Sequence, residues 1–248
     1  MPIWKNTDSG WKTVPLMYDC LNQDVFFCGG GPSLKFVDPH KIKQSGVFVA
    51  GVNNVYPYIK PDIWFAMDDP ECYSKQIFWE PFIKVMRGGY QNRLCEGREI
   101  SKNYNLFYAD ATKFPNEEDL FSAKNQNINF IWKKNTMALA LHVLYWMGAK
   151  KIYLVGCDLS NKNGDYHHGQ VLSEKNKKWN TSCYNGIVKW LKWFNETGKK
   201  YDIELISCTE DSPINDFLRY VELDNALELA KKDIPWGGEL THVRDLKK

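Results

Sequence analysis

Several devices that would restrict the possibilities are missing from this sequence. Its seven cysteines, at 20, 28, 72, 95, 157, 183 and 208, are odd in number and contain no Cys-x-x-Cys pair. That scatter argues against a disulfide framework or a thiolate zinc site, and for reduced thiols in a cytoplasm. The longest apolar run, Met137–Met147, falls well short of the roughly 20 residues that cross a bilayer. No basic start followed by an apolar stretch marks a signal peptide, so the expectation is a soluble, cytoplasmic protein. Charge of one sign is also lacking. A formal net charge of +2 provides no field for nucleic acid, and Glu174-Lys175-Asn176-Lys177-Lys178 reads as a solvated loop. No low-complexity linker divides the chain. We therefore expect an N-terminal arm over 1–22 that packs onto one domain over 23–232, and a C-terminal tail over 233–248. The oligomeric state is left open.

What the chain has in surplus is aromatic rings, ten Trp and thirteen Tyr among them. These build cores first, but they also suit a site that stacks a base or a sugar. Trp179, Trp190 and Trp193 form a candidate stacking platform, with packing as the plainer account. Short apolar runs at Asp24–Cys28, Val47–Gly51, Ile63–Met67, Phe82–Met86, Leu106–Ala109, Ile152–Gly156 and Ile203–Ile206 read as buried strands. Between them, Asn135 or Thr136 can cap a buried helix that ends at Gly148. Tyr184, Ile187, Val188, Leu191 and Phe194 recur at helical spacing, and Leu223, Leu227 and Ala230 suggest a last helix. Alternation of this kind predicts an α/β fold: a single Rossmann-like, doubly wound, mostly parallel sheet with helices on both faces. Ligands of such sheets sit beyond the carboxyl ends of the strands.

The residues after each strand are accordingly the candidates. After the first comes Gly29-Gly30-Gly31-Pro32-Ser33-Leu34. Glycines bring backbone N–H groups close to an anion, Pro32 can open a helix, and the Ser33 hydroxyl can donate to phosphate. The plain alternative is a tight turn. The loop has neither the Walker lysine nor GxGxxG spacing. After the second strand, the amides of Asn53 and Asn54 can serve a base or ribose, or simply a turn. After the third, Asp68-Asp69-Pro70 offers a carboxylate for a ribose or Mg²⁺, or a helix cap. After Ile152–Val155 come Asp158, itself a candidate cap, and a polar loop, Asn163-Gly164-Asp165-Tyr166-His167-His168-Gly169. A histidine there can accept a proton from an attacking hydroxyl, unless the loop is merely exposed and rich in His. His142, within the buried helix, reads as a core histidine.

Phe26–Leu34 (FFCGGGPSL), Val52-Asn53-Asn54, Ala149–Asp158 (AKKIYLVGCD) and Ser207–Asp216 (SCTEDSPIND) together give a chain that resembles a bacterial sialyltransferase family. It is similar too to that family's relatives, the archaeal hydroxymethylpterin pyrophosphokinase and uncharacterised bacterial and phage proteins. The resemblance runs from about Asp24 to Leu223, and it implies a Rossmann-like sheet opening with G-x-G-P-S-L. It further implies that Gly29, Gly31, Ser33 and Asn53 contact a cytidine monophosphate donor, with Asp68 facing it and Tyr166 binding its phosphate. Three departures stand out. Gly30 replaces an Asn or Ser. Asn180 or Thr181 occupies the stretch where the family's basic His falls, which leaves His167 or His168 as substitutes. Asp68-Asp69 replaces a pattern without acidic residues, looks more like the pyrophosphokinase relatives, and allows Mg²⁺.

The first expectation is therefore a nucleotide-sugar glycosyltransferase acting on an acceptor hydroxyl. Gly29, Gly30, Gly31, Ser33, Asn53, Asn54 and Asp68 would hold the donor, and Tyr166 would stabilise the leaving phosphate. His167 or His168 would be the general base, whose loss abolishes turnover. No cofactor is certain in this reading beyond the donor itself. The second is a Mg²⁺-dependent pyrophosphokinase acting on a small hydroxymethyl compound, with metal at Asp68 and Asp158. The third is a nucleotide-binding module without catalysis.

Overall fold

The computed structural model describes residues 3–14, 21, 23–103, 105–112, 119–122, 129–161, 166–169 and 171–230. Parts of the expected arm, the Asn163-Gly164-Asp165 segment, Cys20 and the tail over 233–248 lie outside them.

Ten strands form one sheet. They are β1 (Ile3–Thr7), β2 (Gly10–Thr13), β3 (Val25–Cys28), β4 (Phe48–Val52), β5 (Ile63–Ala66), β6 (Ile83–Arg87), β7 (Leu106–Ala109), β8 (Lys151–Val155), β9 (Glu204–Ser207) and β10 (Arg219–Tyr220). Their spatial order is β10-β9-β8-β3-β4-β5-β6-β7-β1-β2. All neighbours are parallel except the β1–β2 hairpin and its junction with β7. The expected arm thus enters the sheet as a hairpin along β7. β3 is covered on both faces, which is why its sequence, VFFC, is apolar without alternation.

The helices are α1 (Pro39–Gln44), α2 (Asp119–Ser122), α3 (Thr136–Trp146), α4 (Glu174–Gly198) and α5 (Leu223–Leu229). From β3 the chain steps outward through β4, β5 and β6 to β7, then returns by way of α3 to place β8 on the other side of β3. Right-handed crossovers put the outward connections on one face and α3 and α4 on the other. The packing agrees. Ile63, Phe65, Val85 and Ala109 share a core with the α3 residues. On the opposite side Trp64, Ala66, Met86, Leu106 and Tyr108 pack with Tyr73, Ile77 and Phe78, from short 3-10 turns. The fold is α/β, a doubly wound, mostly parallel sheet.

α3 begins where Asn135 Oδ1 accepts the Met137 N–H at 2.8 Å, and all eleven of its residues are buried. Gly148, with φ of 101°, ends it, a conformation that strains any other residue. His142, on α3, accepts the Ile131 N–H at Nδ1, 3.1 Å away. Burial lowers its pKa to about 3. Lys84, on β6, is also fully buried, its ammonium donating to the carbonyls of Glu80 (2.6 Å) and Phe82 (2.8 Å). α4 starts ten residues before the expected amphipathic stretch at Tyr184, with Ser173 as its cap. Only its second half carries the apolar stripe of Ile187, Trp190, Leu191 and Phe194 that seats it in the core.

Among the described residues no helix is long and apolar enough to cross a membrane. The six described cysteines are free thiols.

Candidate active-site cleft

The order of strands reverses between β3 and β8, and a cleft of about 570 Å³ opens beyond their carboxyl ends. A doubly wound sheet binds its ligands at that switch point, and the size suits a small molecule. Its floor is Gly29, Gly30, Gly31, Gly156 and Asp158. One wall carries Asn53 and Asp68 from the ends of β4 and β5, and another Trp132, Lys134, Asn135 and Thr136 from the entry to α3. The exposed half of α4 supplies Trp179, Asn180, Cys183 and Tyr184, and Tyr166 closes the ring.

The glycine loop serves the floor itself. Gly29 N–H donates to Val155 O at 2.8 Å and Gly31 N–H to Gly156 O at 2.9 Å. A Cβ on Gly31 would stand 2.1 Å from Asp158 Oδ2, and one on Gly29 would stand 2.7 Å from Gly156 O. Two backbone turns therefore pack with no room for a side chain. Ser33 donates its hydroxyl to Asp158 Oδ2 (2.7 Å) and its N–H to both carboxylate oxygens (3.2 Å each). The helix that Pro32 opens is a single 3-10 turn, Pro32–Phe36, too short to build a macrodipole. Of the loop's expected phosphate donors, then, Gly29, Gly31 and Ser33 have their N–H groups engaged inside the protein. Gly30 N–H makes no backbone hydrogen bond among the described residues. Asp158, named as both cap and metal ligand, accepts instead from the Ser33 N–H and hydroxyl.

On the wall, Asn53 holds a φ of 49°, a region that Asn tolerates better than most residues. Its Oδ1 accepts from Tyr73 (3.3 Å) and from Thr136 (3.2 Å), which leaves the amide its N–H donors for a ligand. Tyr73 also donates to Asp68 Oδ2 at 3.4 Å. The neighbouring carboxylates part company: Asp68 lines the cleft, whereas Asp69 caps the Pro70–Cys72 turn and pairs with Arg93 at 3.0 Å. Asn54 does not line the cleft.

Tyr166 Oη accepts from Asn180 Nδ2 at 3.0 Å. Tyr184 shares a side-chain hydrogen bond with it, and burial is the main force raising the Tyr184 pKa. Neither His167 nor His168 lines the cleft. His167 packs behind the loop: its N–H donates to Gly30 O at 3.2 Å, its Nδ1 lies 3.2 Å from the same oxygen, and its ring meets that of Tyr58. Burial, ahead of the field of His168, lowers its pKa. His168 is exposed and stacks on Tyr166. Among the described residues no group of three or more His, Cys, Asp or Glu could hold a metal ion.

Trp132, Lys134, Thr136 and Tyr184 are cleft residues that no site motif marks in the sequence. The available signal was position: Trp132 and Lys134 sit between a short strand, Phe130–Ile131, and the cap of a buried helix.

Fold and site together define an α/β protein with an open polar cleft at its switch point. No family model matches the chain, and no curated protein matches it. Among solved structures the chain is similar to a variant of the sialyltransferase CST-II in complex with CMP. That match has 18% identity, covers 85% of this chain and 91% of that one, and has a TM-score of 0.47. It is similar also to CST-II in complex with a trisaccharide acceptor and CMP, at the same identity and coverage and a TM-score of 0.46. At this identity the likeness gives no residue a role.

Proposed function

We propose that the chain is a transferase that binds a nucleotide-activated donor in this cleft, as a nucleotide-sugar glycosyltransferase does, and passes the sugar to an acceptor hydroxyl. The observation that carries this reading is the open cleft at the switch point, where Asn53, Gly30 and Tyr166 keep donor capacity after internal bonding. The Asn53 amide faces the nucleoside. The Gly30 N–H and the Tyr166 hydroxyl meet the phosphate. As the bond from sugar to phosphate breaks, negative charge grows on the leaving oxygen, and a hydroxyl already oriented by Asn180 stabilises it without reorganising.

The acceptor proton goes to Asp68, the carboxylate of the cleft that no cap or ion pair consumes. This reading removes His167 and His168 from the base role, because neither lines the cleft. Replacing either by Ala should leave turnover within a few-fold, whereas Asp68→Asn should lower kcat by on the order of 100-fold with nucleotide binding retained.

Mg²⁺ chemistry of the pyrophosphokinase kind would draw on Asp68 and Asp158. Ser33 occupies both oxygens of Asp158, so one carboxylate is left to accompany the substrate's own phosphates. That favours sugar transfer. A thermal-shift series with cytidine, uridine, guanosine and adenosine nucleotides, with and without Mg²⁺, tests the choice, since a ligand of the folded state raises Tm. Metal-independent stabilisation by a pyrimidine nucleotide supports the transferase. Stabilisation by ATP with Mg²⁺ alone supports the pyrophosphokinase, and no shift from any nucleotide sinks both.

A further inference from the structure

The rim of the cleft differs in chemistry from its interior. Trp179, on the first half of α4, is 59% exposed, unusual for so large an apolar ring. It lines the cleft, as does Trp132, which arrives from a different element. Each ring carries a cation: Lys134 Nζ lies 5.2 Å from the Trp179 ring, and the Arg87 guanidinium lies 4.5 Å from that of Trp132. Neither cation has a carboxylate partner in an ion pair among the described residues. Lys134 is solvent-exposed and holds its backbone at a φ of 56°, an uncommon conformation for a long side chain. The other two tryptophans of α4, Trp190 and Trp193, pack into the core or against it. Of the three, Trp179 alone is turned to the cleft.

An exposed ring at a cleft mouth offers a flat apolar face, and the C–H face of a pyranose is the natural partner for it. Two cations beside such rings, with no ion-pair partner among the described residues, add a demand for negative charge, because a cation over a ring gains only on the order of 1 kcal/mol at an exposed site and retains its capacity for an anion. The interior has donors for a nucleotide but no ring as open as Trp179.

From this juxtaposition we infer that the rim is the acceptor subsite and that the acceptor is an acidic saccharide, stacked on Trp179 with its carboxylate, sulfate or phosphate group at Lys134. The inference rests on the transferase reading of the same cleft. It assigns Trp179 to ring recognition and Lys134 to charge selection, with Arg87 as a more distant attraction.

The test uses the whole chain. Binding of cellobiouronic acid and of cellobiose, which differ by one carboxylate, is followed by the change in tryptophan fluorescence, together with a glycan array carrying neutral and acidic sugars. Acidic glycans should bind at least 10-fold more tightly than neutral ones at low salt, and the preference should fall as salt screens the pair. Lys134→Gln should erase the preference while leaving neutral binding unchanged, and Trp179→Ala should weaken both classes by 10-fold or more. The nucleotide-induced thermal shift of both variants should match that of the original chain, which also shows that they fold. Equal binding of neutral and acidic sugars overturns the inference. A nucleotide shift with no glycan bound overturns it too, but leaves the donor reading standing. The absence of both removes the two together.

Discussion

On the floor of the cleft, Gly29 and Gly31 give their N–H groups to the carbonyls of Val155 and Gly156, and Asp158 accepts from Ser33. On the rim, Lys134 lies over the Trp179 ring, and Arg87, outside the lining, lies over that of Trp132, neither with a carboxylate ion-paired to it among the described residues. The floor is the part that looks like a phosphate loop in the sequence, and its donors are largely used up. Its glycines answer to a steric demand, the close passage of two backbone turns. The rim carries no motif and keeps its capacity open. A polar group already paired internally holds a site in shape; one left unpaired has something to offer a ligand.

The sharpest break of that contrast is a methyl group on the floor. Gly31→Ala would set a Cβ against the Asp158 carboxylate, and its denaturant midpoint should report a loss of about 3 kcal/mol. Ser33→Ala removes a hydroxyl bonded to a buried carboxylate and should cost about 2 kcal/mol, visible as a lower Tm before any ligand is added.

The wall behind the rim should respond to acid. His142 supports the Ile131 N–H, one residue before Trp132, and burial holds its pKa near 3 against about 6.5 in an unfolded chain. The unfolded state therefore takes up a proton first. The stability is present above pH 6.5 and is lost progressively as pH falls toward 3, by on the order of 2 kcal/mol at pH 5. Urea titrations at pH 7 and pH 5 should show the loss, and His142→Gln should flatten it.

The smallest effect belongs to the rim. Lys134→Gln and Trp179→Ala should change unfolding free energy by no more than about 0.5 kcal/mol. A larger loss in either would mean that the rim is structural and would erase the contrast.

The seven central strands were legible in the sequence because each is a short apolar run that parallel pairing buries on both faces, as with Val25–Cys28 and Ile63–Ala66. α3 was legible from its cap and its closing glycine. The first half of α4 was not, because its residues face the cleft and solvent and so carry no apolar period. The cleft residues Trp179, Asn180 and Cys183 lie in that stretch. β10 was missed because two exposed residues, Arg219 and Tyr220, leave no pattern. Asn53 and Asp68 were found because the strand-end rule depends on topology alone. The roles of Ser33 and Asp158 escaped it, since a pairing across 125 positions is invisible until β3 and β8 lie side by side.

The hairpin at the sheet's far edge sets a timetable for synthesis. Ile3 is buried against Ala109, more than a hundred positions further along. During synthesis β1 must therefore wait, unpaired on that side, until β7 has emerged. Contacts so distant along the chain form slowly, so β1 and β2 can complete the sheet only after its far edge exists to receive them.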